Sequence, residues 1–166
     1  ARQLAASLLA KPLARMVDPA LTQGMVEWVT GHVLRHHLGM DAHITAAPGD
    51  WVPDAPPVAW GRKVAMLGLG ELGHASAASL ARIGFDVAGW SMRPKTLDGI
   101  ACHDGASGLN AALDGAEFVV LLLPATPETE NTLDARALAR LAPGAVVLNP
   151  GRGQLIDDDA LLAALD

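Results

Sequence analysis

The sequence predicts an α/β protein: a doubly wound parallel sheet of about five strands in the order 3-2-1-4-5, preceded by a long helix. Three observations predict it. The apolar run Val64-Ala65-Met66-Leu67 feeds directly into a glycine turn, Gly68-Leu69-Gly70-Glu71-Leu72-Gly73, which opens a helix-like stretch ending near Ile83. Two further runs, 117–123 and 145–149, are apolar almost throughout, as strands covered on both faces must be. Helical stretches and turn residues separate these runs, so strands alternate with crossovers, and right-handed crossovers impose the order.

Length and composition bound the alternatives. The chain has 166 residues, 51% of them hydrophobic, which suits one domain with a substantial core. A net charge of −6 without a basic tract argues against a nucleic-acid partner. No run of about 18 uninterrupted apolar residues exists, so no membrane span is expected. The single cysteine, Cys102, excludes an internal disulfide and fits a reducing, cytoplasmic setting. Residues 1–17 hold Arg2, Lys11 and Arg15 and no acid, a weak resemblance to a transit peptide; a truncated start is the favoured reading. The final run, Leu161 to Asp166, reads as mid-helix with no stop signal, so the chain is expected to be a cut piece.

Residues 1–20 show no clear period. Asp18-Pro19 reads as a turn, with Thr22 as the cap of a helix. Over 22–44 the apolar residues Met25, Val26, Val29, Val33, Leu34, Leu38 and Met40 recur near helical spacing, which predicts one long helix. Its broad apolar face suits burial against a neighbouring domain or subunit. Residues 45–61 form a linker loop, broken by Pro48, Gly49, Pro53, Pro56, Pro57 and Gly61. Trp51 and Trp60 stand in it, and a loop tryptophan is expected to bury itself. The alternation then fills 62–166. It runs as strand 63–68, helix 71–83, strand 85–91, a short strand near 100–102 and a helix near 109–113. Strand 117–123, a helix near 134–141, strand 145–149 and a helix from about 157 complete it.

The glycine turn points to a dinucleotide. Gly68 permits the tight turn out of the strand, Gly70 lets a pyrophosphate approach the backbone, and Gly73 lets the helix pack closely. The first helical residues, Glu71, Leu72 and Gly73, offer unpaired N–H groups and the positive end of the dipole to phosphates. An NAD-preferring domain places an acid about 20 residues beyond the glycines. Here the second strand ends Trp90-Ser91-Met92-Arg93-Pro94-Lys95, without an acid. Ser91 can hydrogen-bond a 2′-phosphate, Arg93 can grip it in a fork and Lys95 adds a charge, so NADP(H) is preferred over NAD(H).

Two more strand ends carry candidates. Leu123, Pro124 and the turn to Thr129 either line the nicotinamide side or form a rigid turn; the residues alone do not choose. Asn149, Pro150 and Gly151 lead to Arg152, whose fixed donors fit a carboxylate. No metal is expected. His32 and His36 are four apart but lack a third ligand. His74 reads as a surface residue of the glycine helix. Cys102 and His103, adjacent on a strand, face opposite sides. Asp157, Asp158 and Asp159 suit a helix cap.

Together these segments resemble a known family. They are MVDPALTQGMVEW (16–28), GRKVAMLGLGELG (61–73), WSMRPK (90–95), LLLPATPETENTL (121–133) and LAPGAVVLNPGRGQLIDDDALLAAL (141–165). The chain resembles D-isomer-specific 2-hydroxyacid dehydrogenases, most closely NADPH-preferring glyoxylate/hydroxypyruvate reductases, over roughly residues 13–166. Asn, two small residues, Arg-Gly and an acid-capped helix form the most specific match; Pro150-Gly151 departs from it in detail.

The resemblance implies that NADPH reduces a small 2-oxo acid, with Arg152 binding the carboxylate and keto oxygen of the substrate. It also implies a histidine proton donor, oriented by a carboxylate, from segments this sequence does not contain, so the chain alone is expected to be inactive. Residues 1–21 are implied to be the remnant of a substrate-domain boundary, and strand five would have an uncovered apolar edge. A homodimer through the 22–44 helix is implied too, with Trp51 either reaching the partner's active site or packing locally. The alternative is a non-catalytic nucleotide-binding or regulatory module derived from such an enzyme. A 3-hydroxyacid dehydrogenase shares the glycine turn but not the Asn149–Gly153 segment.

Overall fold

The computed structural model describes residues 18–165 except positions 52 and 54; the expectations for residues 1–17 lie outside the described residues. Helix α1 (Pro19–His37) opens on Asp18, whose carboxylate accepts the Ala20 N–H at 2.9 Å. Pro19 takes the first helical position, where a missing N–H costs nothing. The pair expected to be a turn is therefore a cap, and Thr22, expected as the cap, lies inside the helix.

The single helix expected over 22–44 is in fact two. α1 ends at His37 with Leu38 as its C-cap, Gly39 adopts φ 60°, and a short α2 (Met40–Ile44) comes next. The apolar period runs across the break, so a period count reads straight through it. The left-handed glycine redirects the chain at little steric cost.

Part of the apolar face of α1 packs on this chain's own sheet. Val29 and Val33 are fully buried in one core cluster with Val64, Met66, Leu80 and Phe118. Thr30 Oγ1 lies 3.2 Å from Ser79 Oγ on α3 (Glu71–Ile83). The described residues of the linker form no helix or strand, and they hold their tryptophans outside: Trp51 is 85% exposed and Trp60 75%. The expectation that both bury themselves fails. Trp60 rests one part of its ring against Gly84, where a Cβ would come within 2.6 Å, and Trp51 has no core beneath it.

The sheet has the expected five parallel strands. These are β1 (Lys63–Leu67), β2 (Asp86–Ser91), β3 (Ala101–Asp104), β4 (Phe118–Leu121) and β5 (Val146–Leu148), in the order β3-β2-β1-β4-β5. Most strands are shorter than expected: Gly68, Leu122, Leu123 and Asn149 lie past the strand ends, although the N–H groups of Gly68 and Leu122 still donate to the Trp90 and Leu67 carbonyls at 2.8 Å. Helix α4 (Gly105–Leu113) starts earlier than expected, and α5 (Ala135–Leu138) is shorter. A 3-10 turn over Gly153–Leu155 precedes α6 (Asp158–Leu165), which Asp157 caps by accepting the Ala160 N–H at 3.0 Å.

Alternate strand residues serve opposite faces. Val64, Met66, Phe118 and Val120 face α1 and α3, while Ala65, Leu67, Val119 and Leu121 face Ala112, Leu113, Ala137 and Leu155. At the N-terminal edge of the sheet, Arg62 Nε and Nη2 reach Glu117 at 2.9 and 2.7 Å, and Nη1 reaches His37 Nδ1 at 2.9 Å. A guanidinium only donates, so Nδ1 of His37 accepts and the ring is neutral. Burial, then the Arg62 charge, holds the His37 pKa below its ordinary value, against an opposing pull from Glu117. An apolar groove lies beside β5. It measures about 890 Å³ and is lined by Leu138, Leu141, Val147, Ile156, Leu161 and Leu165 among others.

Candidate cofactor and substrate site

All five strands run the same way, so their carboxyl ends meet at one edge. Strand order reverses between β1 and β4, and a ligand crevice belongs there. The glycine turn sits at this point. Gly68 has φ 109°, and a Cβ on it would lie 2.5 Å from the Leu122 carbonyl oxygen. A Cβ on Gly73 would lie 1.7 Å from the Gly68 carbonyl oxygen. Both positions therefore exclude any side chain. Gly70 differs: a Cβ there would meet nothing within 4 Å. It is the N-cap of α3 and makes no side-chain cap hydrogen bond. Open space in front of an uncapped helix start fits a pyrophosphate, so the chain's own residues suit a dinucleotide. His74 is exposed one turn into α3.

The end of β2 presents the cationic loop. Arg93 and Lys95 are exposed, and among the described residues neither has an ion-pair partner. Ser91 is buried, and its Oγ donates to the Arg93 carbonyl at 2.7 Å. Trp90 Nε1 donates to the Gly105 carbonyl at 2.8 Å, pinning β2 to the start of α4.

The loop after β4 is built around Thr129, which is 3% exposed. Its Oγ1 donates to the Pro124 carbonyl at 2.6 Å and accepts the Thr126 N–H at 2.9 Å. Thr129 thus shapes the turn from inside, Leu123 is buried behind it, and Pro124 is exposed. The loop after β5 is zipped to this one: Asn131 N–H donates to the Gln154 carbonyl at 2.9 Å, and Leu133 N–H to the Leu155 carbonyl at 3.0 Å. Asn149 holds the β5 loop with both ends of its amide. Oδ1 accepts the Gly151 N–H at 3.1 Å, and Nδ2 donates to the Arg152 carbonyl at 3.0 Å. A Cβ on Gly151 would be a tight fit, 3.0 Å from Leu155 Cδ1 and 3.1 Å from the Leu121 carbonyl oxygen. Arg152 is exposed, with Nη1 folded back on the Gly151 carbonyl at 3.0 Å.

Sequence reasoning did not find two supporting residues. Gly89 makes room for Leu69, whose Cδ2 would lie 2.7 Å from a Cβ there. The indole bond from Trp90 to Gly105 had no sequence signal. The Asn149 clamp did: an Asn before Pro-Gly invites a local side-chain-to-backbone turn. Trp51 lies in the exposed linker, and no described contact brings it to the crevice. Among the described residues no group of three or more His, Cys, Asp or Glu is placed to hold a metal ion.

The family description "D-isomer specific 2-hydroxyacid dehydrogenase, NAD binding domain" matches residues 32–166. The chain belongs to this family. Glyoxylate/hydroxypyruvate reductase A of Serratia proteamaculans is 37% identical to this dehydrogenase domain over 156 residues, 93% of this chain and 50% of the relative. The chain thus spans about half the length of the curated relatives it matches. Among solved structures, a D-isomer specific 2-hydroxyacid dehydrogenase of Xanthobacter autotrophicus Py2, in complex with NADPH and MES, superposes with a TM-score of 0.87. It is 42% identical, and the match covers 98% of this chain and 69% of that one. The NADPH-dependent glyoxylate/hydroxypyruvate reductase of Sinorhizobium meliloti, in complex with NADP and sulfate, gives a TM-score of 0.86 at 36% identity. That match covers 93% of this chain and 51% of the other. The chain is thus a Rossmann-type NAD-binding domain of this family, shorter than the relatives it matches.

Proposed function

We propose that this dehydrogenase chain is the coenzyme half of an NADPH-dependent reductase of a small 2-oxo acid, glyoxylate or hydroxypyruvate. What carries the reading is the convergence, at one sheet edge, of the open glycine cradle, the cationic β2 loop and Arg152. The similar proteins named as glyoxylate/hydroxypyruvate reductases support the substrate class, and those solved with NADPH or NADP support the cofactor. The first turn of α3, from Glu71 to Gly73, holds the pyrophosphate. Arg93 and Lys95 hold the 2′-phosphate, and the β2 tip has no acid to repel it. Leu123, Pro124 and the turn organised by Thr129 line the nicotinamide side, with Asn149, Pro150 and Gly151 closing it.

When bound, the nicotinamide supplies a hydride to C2 of the oxo acid. Arg152 orients the acid by pairing its carboxylate. To do so its guanidinium leaves the Gly151 carbonyl, an exchange of one hydrogen bond for a charge-assisted pair. The new hydroxyl needs a proton donor. We assign that role to no residue of 18–165: His74 lies on the exposed surface of α3, and His103 lies on the outermost strand, β3. The chain by itself is expected to bind NADPH without turnover. The domain divides as a boundary remnant (1–21), interface helices (22–44), linker (45–61) and coenzyme domain (62–166), acting as a cytoplasmic homodimer in which Trp51 reaches the partner's site. The exposure of Trp51 supports that last role over local packing.

The direct test is NADPH oxidation with glyoxylate by the purified 166-residue chain, alongside NADPH and NADH titrations of wild type and Arg93→Ala. Arg93→Ala should weaken NADPH by roughly tenfold or more, since a charged hydrogen bond is lost, and leave NADH unchanged. Robust turnover would mean that a proton donor is present in this chain. Unchanged NADPH affinity would remove Arg93 from the site.

A further inference from the structure

We propose that Ser91 governs cofactor choice as a positioning residue: it fixes the turn that presents Arg93, and does not itself contact the 2′-phosphate. The proposal rests on the reading of Arg93 and Lys95 as the phosphate grip. Ser91 is the last residue of β2, in register with Asp104 of β3. Its side chain is buried, and its one hydroxyl proton is engaged at 2.7 Å by the Arg93 carbonyl. A phosphate dianion offers only acceptors. It takes a hydrogen bond from Ser91 only by breaking that short bond and freeing the turn.

The surroundings leave this bond in control. Up to Trp90 the strand is anchored twice, by its ladder partners and by the indole donation to Gly105. Beyond it, Met92, Arg93, Pro94 and Lys95 are all exposed. Among the described residues the only hydrogen bond made by this four-residue segment is the one from Ser91. Pro94 restricts the backbone of Arg93 to extended conformations but does not choose the direction of the turn. Ser91 supplies that direction. A guanidinium on a pre-set backbone loses less freedom when it closes on a phosphate, so the bond raises affinity without adding a contact. NADH has no 2′-phosphate for Arg93 to grip, and it gains nothing from this order.

The test is a double-mutant cycle read by cofactor affinity. NADPH and NADH are titrated against the wild-type chain, Ser91→Ala, Arg93→Ala and the double variant. Ser91→Ala should weaken NADPH by severalfold, up to about tenfold, with NADH unchanged. In the Arg93→Ala background the same change should have a much smaller effect, because the residue acts chiefly through Arg93 and only Lys95 remains to be presented. Additive losses would show independent phosphate contact and overturn the proposal. So would a Ser91→Ala variant with wild-type NADPH affinity beside a weakened Arg93→Ala. Equal losses for NADPH and NADH would mark a general defect and overturn it as well. If wild type binds no NADPH, or Arg93→Ala leaves its affinity unchanged, the phosphate reading itself fails and the proposal falls with it.

Discussion

Three glycines of one turn answer to different constraints, and substitution separates them. Gly73 abuts backbone: a methyl would sit 1.7 Å from the Gly68 carbonyl oxygen, and neither α3 nor the turn can yield cheaply. Gly73→Ala should destabilise the fold by about 4 kcal/mol or more in urea denaturation, in the range reserved for severe strain. Gly70 faces open space at φ −71°, a conformation alanine adopts freely. Gly70→Ala should leave stability within about 0.5 kcal/mol, while NADPH binding drops because the methyl fills the space the pyrophosphate needs. Wild-type NADPH affinity in Gly70→Ala would remove the cradle from the site. Thr129 tests the β4 loop in the same way. Thr129→Val keeps the volume and strands the Thr126 N–H and Pro124 carbonyl, for an expected loss of about 1–3 kcal/mol, measurable by thermal melting.

Among the elements, α1 is tied to the sheet edge through one titratable contact. His37, the last residue of α1, must be neutral for Nδ1 to accept from Arg62, and Arg62 in turn joins it to Glu117 at the start of β4. The folded-state pKa of His37 is lowered, so between the folded and unfolded values the unfolded chain holds more protons. Its contribution is complete above about pH 6.5, the ordinary histidine value, and is lost as pH falls from there through the lowered folded value. Urea midpoints taken between pH 7 and pH 5 should fall with pH in wild type. They should flatten in His37→Gln, which keeps an acceptor for Arg62 without a titration. An equally steep fall in the variant would assign the effect elsewhere. Asp41, held below its usual pKa by the Arg35 hydrogen bond, acts in a separate and more acidic window.

At the scale of the molecule, two of the apolar surfaces left uncovered among the described residues invite a test. One is the N-terminal layer, where Leu21, Trp28, Met40, Ile44 and Trp51 are exposed and Trp28 stacks on His32 at 3.9 Å. If α1 and α2 form the homodimer interface, sedimentation of the wild type should give a dimer and Trp28→Glu a monomer, with an unchanged circular dichroism spectrum. A monomeric wild type would sink that arrangement for this chain. The other is the groove beside β5. An apolar dye should bind there, and Leu161→Asp, which puts a charge on the exposed helix lining it, should weaken that binding.

The sheet, its strand order and the glycine turn were legible in the sequence because each arises from local pattern. Runs such as Val119-Val120-Leu121 feed both faces at once, and Gly68 and Gly73 stand where side chains would strike backbone. Other features were not legible. The break at Gly39 is invisible to a period that continues through it. The burial expected for Trp51 and Trp60 required a surface beneath them, which a proline-rich segment does not reveal. The Arg62–His37 and Arg62–Glu117 contacts join residues 25 and 55 apart, and no local rule pairs them. Periodicity and backbone sterics are properties of neighbours along the chain, so the sequence alone determined the doubly wound sheet and the position of its cofactor turn. Partners for hydroxyls, indoles and guanidiniums depend on which distant segments meet. Only the tertiary structure could therefore decide that Ser91 and Thr129 bond within their own loops, and that the ring of His37 is an acceptor.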